Sequence, residues 1–183
     1  MPLLEEGRVV PDRWEHAGDE AQLPAGRNFI VCLDRLRRDK DFLFTREAPL
    51  GVELQPGTKP EEVAEFLPHL DLVAIEFPKF RDGRGFTLAR TLRERYGFEG
   101  EIRGTGHILP DQYALLLRCG FTFVELPDTA DLAVWDTALT RYKVAYQPGL
   151  TDEHPLGGFR RELWKENGSL LFSNKKKQKN FVI

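Results

Sequence analysis

The sequence predicts an α/β fold in which a parallel sheet is built from repeated strand-helix units, as an open doubly wound sheet or a partial barrel. Three observations carry this expectation. Short apolar runs rich in strand formers alternate with segments of helical period from about residue 50 to residue 142. The connections between them are short, which favours parallel strands joined by right-handed crossovers. The chain has 183 residues, enough to bury one core and too few for two. About four strand-helix units can be read, short of the eight that close a barrel, and the pattern alone does not choose between open sheet and partial barrel.

The elements follow in order. Residues 1–27 carry Pro11, Gly18, Pro24 and Gly26 among scattered charges and read as an irregular N-terminal arm. "NFIVCLDRL" and "LGVELQP" read as strands, and the charged "RRDKDFLFTREAP" between them as a connection. In "TKPEEVAEFLPHL", Thr58 is expected to cap a helix, with Pro60 in its first turn and Glu61 completing a capping box. Val63, Phe66, Leu67 and Leu70 then share one face. "LVAIEF" has the continuous apolar character of a strand covered on both sides.

A helix from about Phe86 to Tyr96 turns Leu88 and Leu92 inward and Arg90, Arg93, Glu94 and Arg95 outward, and Gly97 can end it. "GEIRGTG" is a short strand, "LPDQYALLLRCGF" a helix and "FTFVEL" a strand. "DTADLAVWDTALTRY" reads as a helix from Asp128 or Thr129 that buries Leu132, Trp135, Leu139 and Tyr142. These elements set a single α/β domain over residues 28–150, with "KVAYQPG" as an extended edge piece. Residues 151–183 form a C-terminal extension, expected to be irregular with a basic tail, "NKKKQK".

Composition narrows the function classes. An apolar share of 41% with 30% charged residues is that of a soluble globular domain. A net charge of -3 gives no global attraction to nucleic acid or membrane, and the lysine run, with few aromatics interleaved, reads as a solvated tail. Cys32 and Cys119 lie in apolar surroundings and are expected to be buried free thiols; their spacing suits neither zinc nor a redox pair. His16, His69, His107 and His154 are scattered, so no metal site is expected. "MPLLEEGRVV" lacks the pattern of a signal peptide, and no apolar run approaches the roughly 18 residues that span a bilayer. A cytoplasmic location is the expectation.

In open α/β sheets, ligands collect beyond the carboxyl ends of the strands. The loops there are "PKFRDGRG", "GTGHILPDQ" and "PDTAD". Parallel strands would gather Lys79, Arg81, Arg84 and His107 with Asp82 and Asp111, and Arg103 near the end of its strand. Helix N-termini, flexible glycines and guanidinium groups suit an anion or an acidic partner. The alternative is that Arg81 and Arg84 pair with Asp82, Glu76 or Asp111 and only order the loops. His107 and Asp111 are the candidates for acid-base catalysis. No serine nucleophile motif, phosphate-binding glycine loop or paired catalytic carboxylate is present, and no ligand set for a cluster, flavin or thiol pair can be read, so no cofactor is expected.

The stretch "FPKFRDGRGFTLARTLRERYGFEGEIRGTGHILPDQYALLLRCGF" resembles the bacterial family known as domain of unknown function 934. The resemblance rests on "FPKFRDGRGFTLAR", "LRERYGFEGEIR", the spacing of Gly106, Leu109, Asp111 and Gln112, and "RCGF". It implies a part in sulfate assimilation, because members of that family are commonly encoded beside assimilatory sulfite reductase and adenylylsulfate reductase. The first functional reading is therefore an accessory protein of sulfite reduction, binding a reductase or an anion through Lys79, Arg81, Arg84, Arg103, His107 and Gln112. The second is an oxidoreductase or other enzyme acting on a small anionic substrate, sulfur-containing or phosphorylated.

Overall fold

The computed structural model describes residues 2–140 and residue 150, so the expectations for "KVAYQPG" and for residues 151–183 lie outside the described residues. Its strands are β1 (Leu3–Glu5), β2 (Arg8–Val10), β3 (Trp14–His16), β4 (Asn28–Cys32), β5 (Leu50–Leu54), β6 (Leu72–Phe77), β7 (Glu101–Gly106) and β8 (Phe123–Glu125). They form one sheet in the order β2-β1-β8-β7-β6-β5-β4-β3. From β3 to β8 every pairing is parallel, and β1 runs antiparallel to both β8 and β2. The sheet curls into a half-barrel, so the partial barrel is the form the chain adopts, mostly parallel with an antiparallel edge.

The helices are α1 (Leu33–Phe44), α2 (Glu61–Ala64), α3 (Arg84–Glu94), α4 (Tyr113–Arg118) and α5 (Leu132–Thr140). Strands that follow one another as parallel neighbours need crossovers of one hand, which put the helices on one face of the sheet. The packing agrees. Val31, Val52, Val73, Ile75, Phe77, Ile102 and Val124 join Leu36, Leu43, Val63, Leu88, Leu92, Tyr113 and Trp135 in one core. On the opposite, inner face, Ile30, Leu72 and Ala74 make a small separate cluster beneath Trp14.

Several local readings change. The arm expected to be irregular carries β1, β2 and β3, short strands ordered by pairing with β8 and β4 rather than by their own pattern. The charged connection after β4 is largely α1, whose buried contacts come from Leu36, Leu43 and the Arg35 stem. Arg35 donates to the carbonyls of Gly18 and Ala21, tying the arm to the helix. Thr58 closes a turn through the Gln55 carbonyl instead of capping α2; Glu62, one residue beyond the expected Glu61, accepts from the Lys59 N–H at 3.1 Å. In α5, Trp135 is buried while Leu132 is 46% exposed; Tyr142 lies outside the described residues.

Arg93 also departs from expectation. It turns inward from α3 and donates to the carbonyls of Gly120, Phe98 and Gly100 at 3.0, 2.6 and 2.7 Å. One guanidinium thus satisfies three backbone acceptors where the loops before β7 and β8 converge, a role that helical periodicity does not display.

Candidate functional site

The loop edge forms where β5, β6 and β7 leave the sheet. β7 ends on Gly106 at a φ of +86°, and a Cβ there would stand 2.6 Å from the Phe77 carbonyl oxygen, so glycine alone fits. This close approach lets the His107 N–H donate to the same carbonyl at 2.6 Å and locks two loops together. Gln112 donates from its amide to the Phe80 carbonyl at 2.8 Å and accepts from the Leu109 N–H at 3.0 Å. The His107 ring meets Phe80 edge-on with centroids 5.6 Å apart. The loop after β5 joins them: a Cβ on Gly57 would meet the Arg84 guanidinium at 2.8 Å.

Lys79, Phe80, Arg81, Arg84, His107, Asp111 and Gln112 therefore belong to one end of the molecule. Their charges are arranged unequally. Arg84 makes a bidentate pair with Asp82 at 2.9 and 2.6 Å, and Asp82 also accepts from the Arg84 N–H. These bonds hold the Asp82 carboxyl down to about 2. Arg84 is thus occupied in ordering the loop. The Arg81 guanidinium lies over the exposed Phe80 ring, 5.3 Å from its centroid. Among the described residues neither Lys79 nor Arg81 has a carboxylate partner. No hydrogen bond joins His107 to Asp111.

Arg103 lies elsewhere. It is the third residue of β7, and its side chain is fully buried on the inner face. Two bonds of 2.7 and 2.9 Å join it to Asp12, and a third of 3.1 Å joins it to Glu125. An ion held by two carboxylates in this way is an internal clamp: it fastens the segment before β3 to the inner face.

That face carries polar residues that sequence reading did not single out. Glu53, Glu76 and Glu125 occupy the carboxyl-terminal halves of β5, β6 and β8, and Glu76 pairs in register with Thr105. His16 reaches across from β3 at the opposite end of the strand order. Its Nε2 is 3.6 Å from Glu125 and its Nδ1 3.8 Å from Glu53, contacts that only a strongly curled sheet allows.

The electrostatics follow from burial and partners. The Glu125 contact raises His16 above its usual value, against the opposing effect of its own burial. Burial would raise Glu125, but His16 and Arg103 together hold it below the usual carboxylate range. Asp12 is likewise lowered: the Arg103 bonds and the Trp14 N–H outweigh its desolvation. Glu53 is raised, by burial first and by Glu76 and Glu125 nearby, with His16 only partly compensating. The Thr105 hydroxyl and the Arg103 Nε are buried without a hydrogen-bond partner.

A signal for this face exists in the sequence. "VEL", "IEF" and "VEL" recur at the ends of β5, β6 and β8, each a lone glutamate between buried apolar residues. Strand alternation then puts Arg103 and Thr105 together, because Ile102 and Gly104 face the helices.

Both cysteines are free thiols; Cys119 is buried and Cys32 partly so. Burial pushes both upward, and Asp19, which accepts from the Cys32 thiol, adds to that rise. Neither is an activated nucleophile. Among the described residues no three His, Cys, Asp or Glu side chains come together in metal-binding geometry, and no helix is long and apolar enough to cross a membrane.

Fold and sites together define an α/β half-barrel protein with a basic loop edge and a carboxylate-rich inner face. The chain belongs to the family described as "Bacterial protein of unknown function (DUF934)", which matches residues 51–157, more than half its length. No curated protein matches it. The matched span holds every loop-edge residue named above together with Glu53, Glu76, Arg103, Thr105 and Glu125, while Asp12, Trp14 and His16 precede it.

Proposed function

We propose that the chain is a non-catalytic accessory protein that docks an acidic partner or an anionic ligand on its loop edge. The observation that carries this reading is the exposed row Lys79-Phe80-Arg81, with two cations lacking carboxylate partners among the described residues, on either side of an aromatic ring 37% exposed. An arginine-bearing aromatic patch is the composition that concentrates binding energy at protein interfaces, and uncompensated positive charge steers an acidic face toward it. Gln112 and His107 contribute by holding the Phe80 loop in place, and Arg84 does so through Asp82. Arg103 supports the fold from the inner face.

The setting we propose is assimilatory sulfite reduction, with sulfite reductase or adenylylsulfate reductase as the partner. It is supported by the family resemblance, not by geometry. A pull-down with the full chain from its native bacterial extract, probed for both reductases, tests the reading. The K79A/R81A double variant should lose the captured reductase and weaken binding by about 1–3 kcal/mol for each charged hydrogen bond removed. Capture of the reductase by the variant as efficiently as by wild type at low salt would refute it.

A further inference from the structure

We propose that the segment from Asp12 to Gly18 is a strap across the inner face of the half-barrel, held down at its middle by His16, and that loss of the imidazole proton releases it. The strap is pinned at both ends. Asp12 accepts two bonds from Arg103, and the Gly18 carbonyl accepts from Arg35. Between these anchors lies β3, a three-residue edge strand paired on one side only, with β4. The Ala17 N–H continues that pairing, donating to the Ile30 carbonyl at 2.9 Å. Edge pairing this short belongs to the low end of local stability, so side-chain contacts decide how firmly the middle stays down. The Glu15–Arg27 pair on the other side of β3 lies in solvent and adds little.

His16 stands between carboxylates from two strands that are not its neighbours in the sheet, Glu125 of β8 at Nε2 and Glu53 of β5 at Nδ1. Glu76 of β6 acts on Glu53 from the same face, Arg103 of β7 opposes the imidazolium, Asp12 acts from its own segment, and β4 offers the uncharged Ile30. Arg103 is already engaged by Asp12 and Glu125. A protonated imidazole presents an N–H to each of the two carboxylates. A neutral one has a single N–H and turns a lone pair toward the other carboxylate, so losing the proton replaces an attraction by a repulsion. Trp14, on the same side of the strap, packs on Ile30, Leu72 and Ala74, and lifting the strap uncovers that apolar cluster.

His16 is held above its ordinary value, chiefly by Glu125. The strap is therefore closed in full below about pH 6.5 and loosens as pH rises through the folded value. Linkage sets the size of the effect: each pH unit by which closure raises the imidazole multiplies strap opening about tenfold once the proton is gone. The strap uses no residue of the Lys79-Phe80-Arg81 row, so its failure leaves the docking surface untouched. Amide hydrogen exchange of the full chain, followed by NMR from about pH 5.5 to about pH 8.5 and normalised for each amide's intrinsic rate, measures opening at Ala17. Ala17 protection should fall across that range by the factor that the His16 titration prescribes, and should stay below that of the β6 amides. His16→Gln should abolish the pH dependence and leave Ala17 as open in acid as wild type is in alkali. Glu53→Gln, which removes one carboxylate and keeps Arg103 paired, should reduce the dependence; thermal melts check the fold of both variants. Ala17 protection that is flat through the His16 titration, an equal pH dependence in His16→Gln, or exchange of Ala17 only together with β6 would overturn the proposal.

Discussion

Replacing Arg103 by methionine removes the internal clamp while keeping most of the side-chain volume. Arg103 is unexposed, and its loss leaves Glu125, 8% exposed, with His16 alone and takes from Asp12, 28% exposed, its bidentate partner. Breaking a buried ion pair by deleting one partner typically costs about 3–5 kcal/mol, because the remaining charge is left uncompensated. Asp12 can rehydrate and Glu125 keeps His16 beside it, so the low end, about 3 kcal/mol, is expected here. Urea unfolding at pH 7 followed by tryptophan fluorescence measures this; with a slope of about 2 kcal/mol per molar, the midpoint should fall by about 1.5 M. The R103M/E125Q double variant should recover part of that loss, since its orphaned group is neutral. The pH dependence has a definite sign. Asp12 and Glu125 are depressed in the folded chain, so their contribution is present above the unfolded value of about 4 and lost as pH falls through the folded values. Wild type and R103M should therefore converge in acid. A midpoint change below about 0.3 M, or no recovery in the double variant, would refute the reasoning.

Arg93→Met should destabilise by about 2–4 kcal/mol, because it leaves three backbone carbonyls short of a charged donor; equilibrium unfolding reads this directly. Glu53→Gln should stabilise at neutral pH, since burial disfavours the ionised carboxyl. A raised folded value means that ionisation destabilises as pH rises above the unfolded value, so the gain should vanish below about pH 4, as melting curves across pH would show. Thr105→Val replaces an unpartnered buried hydroxyl by a methyl group and should raise stability by about 1 kcal/mol.

The elements legible in the sequence are those whose pattern matches their burial. β6 is a continuous apolar run because it is covered on both faces, and α3 shows its period through Leu88 and Leu92. α1 was hidden by its charge: only Leu36 and Leu43 supply buried apolar contacts, and Asp39 departs from helical geometry within it. β1 to β3 were hidden because three-residue strands take their order from partners far along the chain. The loop edge could be read because strand direction alone gathers those residues. Its division into an Arg84 occupied by Asp82 and a Lys79 and Arg81 without a carboxylate partner among the described residues could not, since it depends on the Asp82 rotamer. The inner face was missed because curling, not alternation, brings His16 to Glu125.

That curl builds the inner face, and His16 reports it most directly. An NMR titration of the His16 imidazole should give a value above the ordinary 6.5, raised chiefly by Glu125 across the sheet, and Glu125→Gln should lower it. His16 then adds stability in full below about pH 6.5 and loses it as pH rises through the folded value. A value at or below 6.5, unmoved by Glu125→Gln, would contradict a sheet curled tightly enough to bring β3 over β8.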